Sequence, residues 1–176
     1  MLIRLGLDDI RDPDFDCGNA DLNEFFFEDS AKFYDELMSV TYVWYDLDSD
    51  KITAFLSIAN DAISRTVIST KTYNRAARKI PNVKRIKTLP AVKIGRLAVH
   101  KNHTGQKIGS TILDRIKDWF TDGGNKTGCR FIVVDALNNP KTIHFYEQNK
   151  FKFLLGDEDI NEPTRLMFFD LITIKP

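Results

Sequence analysis

Cysteine is nearly absent from the 176-residue chain: two occur, Cys17 and Cys129, far apart. That excludes a disulfide framework and a cysteine-built zinc site, and it fits a reducing compartment. No apolar run approaches the length of a membrane span, so no membrane association is expected. The N-terminal MLIRLGLDD carries Arg4, Asp8 and Asp9, which removes the apolar core a secretion signal needs and points to a cytoplasmic protein. Internal repeats, low-complexity tracts and Gly/Ser linkers are also missing, so a single domain over 1–176 is expected. What is there suits a packed core: 43% of residues are hydrophobic and 28% charged.

Net charge is zero, yet the charges are segregated. Residues 1–61 hold fifteen acids and four bases, whereas 62–113 hold twelve bases and no acid. Residues 114–176 are nearly balanced, with nine bases and ten acids. A basic run of this length is either a solvated face or a site for a polyanion.

Periodicity outlines the elements. Residues 1–6 suit a short strand, and Phe15–Met38 reads as helical, with Leu22, Phe25, Phe26, Ala31, Phe33, Tyr34 and Leu37 on its apolar face and Asn19 or Asp21 as cap. Thr41–Leu47 and Lys51–Ala59 form a hairpin about Asp48-Ser49-Asp50. Lys71–Pro90 is expected to be a helical stretch followed by a loop. Ala91–His100 is a strand whose apolar positions (Val92, Ile94, Leu97, Val99) change parity after Gly95, which suggests a bulge or local irregularity. After a polar loop over Lys101–Gln106, Ile108, Ile112, Leu113, Ile116, Trp119 and Phe120 mark an amphipathic helix ended by Gly123-Gly124. Arg130–Leu137 reads as a buried strand. Asn139 caps a further helix with Pro140 at its first position, ending near Asn149. Phe151–Leu155 and Arg165–Ile174 close the chain as strands. The class is α/β (α+β): a mixed central sheet flanked by helices.

The turn at 99–110 carries the chemistry. A helix start offers unpaired N–H groups and partial positive charge, which suit phosphate. Gly105 lets the loop turn, Gly109 removes a side chain where backbone must approach an anion, and Lys101 and Lys107 add charge. The Walker pattern GxxxxGK[ST] is missing.

The stretch LPAVKIGRLAVHKNHTGQKIGSTIL resembles motif A of the GNAT acetyltransferase superfamily, where a loop of form Q/R-x-x-G-x-G/A cradles the pyrophosphate of acetyl-CoA. NPKTIHFYEQNKF is similar to motif B, N-x-x-A-x-x-(F/L)-Y-x-x-x-G-F, with Asn139 and Tyr146 on its Asn and Tyr. The order and separation of the motifs match, and so does the strand–helix succession from about residue 41 onward. Three positions depart from the pattern: Thr104 replaces Arg or Gln, and Lys107 and Lys150 each replace a Gly. The Lys107 ammonium either compensates for poorer backbone approach or occludes the loop.

The resemblance implies a GNAT fold and an N-acetyltransferase using acetyl-CoA and releasing CoA. It implies that backbone of Leu97, Ala98 and Val99 holds the pantetheine arm and thioester. Gly105, Gln106, Lys107, Ile108, Gly109 and Ser110 would take the pyrophosphate, Asn139 would contact the cofactor, and Tyr146 would face the leaving sulfur. A phenol titrates near 10 and a thiol near 8.5, so full proton transfer from Tyr146 is uphill by about 2 kcal/mol, and a hydrogen bond to the developing thiolate is the safer role. The pattern FDCGNADLNEFF, with the later LPAVKIGRLAVH, looks like the GNAT toxins of toxin–antitoxin pairs, which acetylate the α-amine of aminoacyl-tRNA. In the bland reading this pattern packs the first helix.

Ala91–His100 holds no carboxylate to act as general base, and His100 and His103 belong to the cofactor loop; Glu147, Asp135 or an N-terminal acid could still approach. Neutralising a lysine amine costs roughly 3.5 kcal/mol more than an α-amine at neutral pH, which favours an α-amino acceptor. Arg75, Arg78, Lys79, Lys84 and Arg85, with Lys71 and Lys87, lie outside motif A and could hold a tRNA backbone. They could equally dock on the chain's own acidic third or on an antitoxin protein. A homodimer is expected. The alternatives are a GNAT enzyme acting on a small-molecule amine or a protein, and a non-catalytic GNAT-fold binding module.

Overall fold

A computed structural model describes the chain except residues 6–11, 67, 79, 83–84, 158 and 176. The elements run β1 (Leu2–Arg4), α1 (Ala20–Glu24), a π turn (Phe25–Asp29), α2 (Ser30–Asp35), β2 (Val40–Asp46), β3 (Lys51–Ser64), α3 (Thr70–Ala76), β4 (Thr88–Val99), α4 (Ile108–Thr121), β5 (Phe131–Leu137), α5 (Pro140–Gln148), β6 (Lys152–Phe153) and β7 (Thr164–Asp170). The strands order as β1-β2-β3-β4-β5-β7-β6. The described residues form two compact units: Met1–Ala59 with Ile94–Ile116, and Asn60–Lys93 with Lys117–Pro176. Among the described residues no helix is long and apolar enough to cross a membrane.

In the first unit, β1 and β3 both pair antiparallel with β2, and the β2–β3 register shifts between Trp44 and Tyr45. The expected hairpin is present. Its core is aromatic: Phe26 stacks on Phe55 at 4.9 Å, and Phe15 meets both rings edge-on or tilted. The helix expected over Phe15–Met38 begins only at Ala20, where Asn19 accepts the Leu22 amide at 3.1 Å. A π turn then inserts an extra residue. Two adjacent rings, Phe25 and Phe26, thereby both reach the core, and the Ser30 hydroxyl donates to the Phe26 carbonyl at 2.8 Å. A plain 3.6-residue period cannot anticipate that shift. Phe33 and Leu37, assigned to the apolar face, are therefore exposed; Leu37 lies beyond α2 in the left-handed region (φ 56°).

In the second unit, β5 and β6 pair antiparallel with β7. Tyr73, Leu89, Phe131, Val133 and Leu154 make its core. The Tyr73 hydroxyl donates to the Ile86 carbonyl at 2.8 Å, which secures the segment after α3. Only Thr70–Ala76 of the expected helical stretch is helix, and β4 begins at Thr88, so Pro90 is part of a strand and its carbonyl accepts the Arg130 amide. The expected strand Phe151–Leu155 shrinks to two residues. The last strand stops at Asp170, whose side chain caps a short turn by accepting the Ile172 amide. Arg165 and Asp159 form a buried pair at 2.7 Å, and Asp159 also accepts the Leu166 amide.

Two strands exceed their expected bounds. β3 runs on to Ser64, with Ile63 buried, and β4 is unbroken through Gly95. α4 matches its apolar face, with Ile112, Leu113 and Ile116 fully buried.

Candidate active site

The strand–turn–helix at 97–110 belongs to the first unit. Ala98 is buried, and Leu97 and Val99 are half-buried. A short turn of Lys101–His103 follows, where the His100 imidazole accepts the Asn102 amide at 3.1 Å and His103 bonds Gln106 at 3.2 Å. Both histidines are thus loop supports. Gly105 takes φ 86°, a conformation that favours glycine. α4 starts at Ile108, so the amides of Ile108, Gly109 and Ser110 precede any intrahelical acceptor and are available to an anion.

Lys107 sits at φ 61° and Lys150 at φ 67°. These are the two positions where the family pattern carries glycine. Both lysines hold the left-handed backbone that glycine would adopt, so the departures change side chains and leave the turns intact. The loop has the two features expected of a pyrophosphate cradle: its backbone takes a glycine-type turn, and Gly109 presents no side chain.

The loop is clamped by the segment before α1. The Lys101 amide donates to the Asp16 carbonyl at 2.9 Å, and its ammonium meets the Asp16 carboxylate at 2.7 Å. Asp16 also accepts from Asn23 at 2.9 Å and from the Gly18 amide at 2.7 Å. The Lys101 ammonium, then Asn23 and the Gly18 amide, hold the Asp16 carboxyl well below the usual carboxylate range. Lys101, read as spare charge for phosphate, is thus engaged by Asp16. Asp16 and Asn23 were missed as site residues. Their signal was the pattern FDCGNADLN, whose polar positions close on one another and on the loop.

On α5, in the second unit, Asn139 accepts the Thr142 amide at 2.9 Å, so its side-chain oxygen caps the helix as expected. Tyr146 is buried between Phe145 (5.0 Å) and Phe151 (5.3 Å), and burial pushes its phenol above the ordinary value. That makes full proton donation by the hydroxyl still costlier, and the packing against Phe145 and Phe151 is also that of a core tyrosine. The free thiols Cys17 and Cys129 are likewise pushed up by burial, which disfavours thiolate chemistry.

Of the candidate bases, Asp135 pairs with Lys93 at 2.5 Å and Glu147 is exposed. β4 carries no carboxylate from Thr88 to Val99. In the basic segment, Arg75 donates to the Leu154 carbonyl at 2.7 Å and so braces its own unit; Arg78 and Arg85 are exposed. Lys79 and Lys84 lie outside the described residues.

A glycine-type turn leading into a helix start with unpaired amides suits the phosphates of an acyl-CoA-dependent transferase. The model of the acetyltransferase (GNAT) domain matches residues 42–153, and the chain belongs to that family. It is an N-acetyltransferase with acetyl-CoA as cofactor. Solved structures share the fold. One is "AtaT complexed with acetyl-methionyl-tRNAfMet", 23% identical, covering 99% of this chain and 96% of that chain, with a TM-score of 0.78. Another is AtaTR bound with acetyl-CoA, 23% identical over 99% of this chain and 95% of that one, at 0.76. A third, a tyrosine-to-phenylalanine mutant of KacT, is 24% identical over 92% of this chain and 88% of that one, at 0.72.

Proposed function

We propose that the chain acetylates the α-amine of aminoacyl-tRNA, as the toxin of a toxin–antitoxin pair. The observation that carries this reading is the likeness to AtaT in complex with an acetylated aminoacyl-tRNA, which covers nearly the whole chain. Two features of the chain support it. β4 offers no carboxylate to deprotonate a lysine, whereas an α-amine, titrating near 7.7–8.0, can lose its proton to water. The acid-free span over 62–113 suits a polyanionic acceptor.

Acetyl-CoA supplies the acetyl group as an activated thioester. On this reading the amides of Gly105 and of Lys107–Ser110 bind the pyrophosphate, the expected Gln106 amide being taken by the His103 carbonyl at 3.3 Å, and the backbone of Leu97–Val99 orients the pantetheine arm. Asn139 contacts the cofactor as well as capping α5. The Tyr146 hydroxyl donates to the sulfur as the thiolate leaves. Arg78 and Arg85, with Lys79 and Lys84, contribute to the acceptor footprint, while Arg75 is taken up by the Leu154 carbonyl. The chain works in the cytoplasm as a homodimer, restrained by an antitoxin protein; the neighbouring structure of the AtaT toxin bound to the C-terminus of the antitoxin AtaR supports that partner class.

A small-amine acceptor is favoured by one feature: a cavity of about 230 Å³ in the second unit, lined by Asp61, Ser64, Lys93 and Asp135 above Ile63, Val133 and Leu166. Labelled acetyl-CoA with charged tRNA decides the matter. Label in the aminoacyl moiety is expected. Label reaching only polyamines or protein amines would replace the tRNA reading, and absence of saturable acetyl-CoA binding would leave a binding module.

A further inference from the structure

Arg96 lies outside the residues assigned to the cofactor. It stands on β4 between Gly95 and Leu97, one residue before the backbone assigned to the thioester arm. Its guanidinium carbon lies 5.2 Å from the centre of the Phe25 ring, and one terminal nitrogen donates to the Gly95 carbonyl at 2.9 Å. Phe25 is itself buried, braced by Phe55 and by the edge of Phe33. The side chain is therefore held in place while 41% of it remains exposed.

The Nε atom is buried and has no hydrogen-bond partner among the described residues. Among the described residues the Asp21 carboxylate on α1 comes within 3.9 Å of it, and that side chain is 80% exposed. A buried N–H of a charged group left unpaired is costly and rare in native proteins. A guanidinium fork braced on an aromatic face, with one terminal nitrogen on the Gly95 carbonyl and the other without a partner among the described residues, can take an oxyanion.

The anion that this fork would take is not the coenzyme's diphosphate. That group is assigned to the turn after Val99, and the strand from Arg96 to Val99 alone spans about 10 Å. An anion on the acceptor side fits instead. We propose that Arg96 is the binding residue for the phosphodiester next to the acceptor's terminal nucleotide, holding the charged amino acid in line with the thioester arm. The proposal rests on the aminoacyl-tRNA reading, in which the reacting amine and this phosphate lie within one nucleotide of each other.

Two measurements test it. In ¹⁵N spectra, the Arg96 Nε–Hε signal, assigned by its loss in Arg96→Lys, should shift saturably with the dinucleotide cytidylyl-adenosine and stay still with adenosine. In steady state, Arg96→Lys and Arg96→Gln should raise the KM for charged tRNA about tenfold or more, with the KM for acetyl-CoA unmoved. A signal unmoved by the dinucleotide, or a signal moved only by an acidic peptide, overturns the proposal. So does an unchanged KM for charged tRNA in variants that keep the wild-type Tm. If the wild type fails to acetylate charged tRNA while its Nε signal follows the dinucleotide, the acceptor reading falls and the phosphate site stands. If it acetylates charged tRNA with a KM indifferent to Arg96, the site falls and the reading stands.

Discussion

Lys107 separates backbone strain from charge at the cofactor turn. Its φ of 61° puts a Cβ in the left-handed region, which costs a non-glycine residue roughly 1–2 kcal/mol. Lys107→Gly removes that cost but restores about 0.5–1 kcal/mol of chain entropy to the unfolded state. Lys107→Ala removes the ammonium and keeps the strain. The two variants lose the same charge, so their difference reports the backbone alone: about 0.5–1 kcal/mol in favour of glycine, or roughly 1–4 °C in Tm for a chain of this size. Calorimetry at matched pH and salt reads this difference. Equilibrium binding of acetyl-CoA reads the charge. If the ammonium assists the phosphates, both variants bind about tenfold more weakly, as loss of one charge-assisted hydrogen bond predicts. If it occludes the turn, both bind more tightly. A Tm for Lys107→Gly no higher than for Lys107→Ala would refute the strain argument and with it the claim that the turn keeps the family's glycine geometry.

Tyr146→Phe keeps the ring packing against Phe145 and Phe151 and should lower kcat about ten- to a hundredfold while leaving the KM for acetyl-CoA intact; equal turnover removes the hydroxyl from the mechanism. Because burial raises its folded-state pKa, Tyr146 stabilises the fold below the ordinary tyrosine value near 10 and loses that contribution as pH rises beyond it. Spectrophotometric titration should therefore show it ionising only with alkaline unfolding, and an earlier ionisation would contradict its burial. Asp16→Asn releases the Lys101 ammonium and should raise the KM for acetyl-CoA several-fold with little change in Tm; an unaltered KM would show that the clamp is dispensable. Asp159→Asn strands the buried Arg165 guanidinium and should cost about 3 kcal/mol, roughly 10 °C in Tm, with a shift under about 2 °C counting against the pair.

The second half of the chain could be read almost element by element, because its signals are local. Asn139 and Pro140 start α5, as spacing and capping chemistry require, and the apolar repeat of Ile112, Leu113 and Ile116 defines the buried face of α4. The N-terminal third was harder. The π turn that buries both Phe25 and Phe26 breaks the helical period, and it sets both rings against Phe55, with Phe26 also against Phe15. The basic segment misled for a similar reason. Arg75 reads as free charge in the sequence, but the tertiary fold sets the Leu154 carbonyl within reach and spends it there.

The order of residues alone decided the form of the turn at 99–110: a strand, a glycine able to take positive φ, and a helix start with unpaired amides are consecutive, and short-range sterics and hydrogen bonding decide them. Folding in three dimensions decided what the charges do. Asp16 reaches Lys101 across 85 residues and Arg96 comes to rest on Phe25 with its Nε unpaired among the described residues, pairings that long-range packing makes.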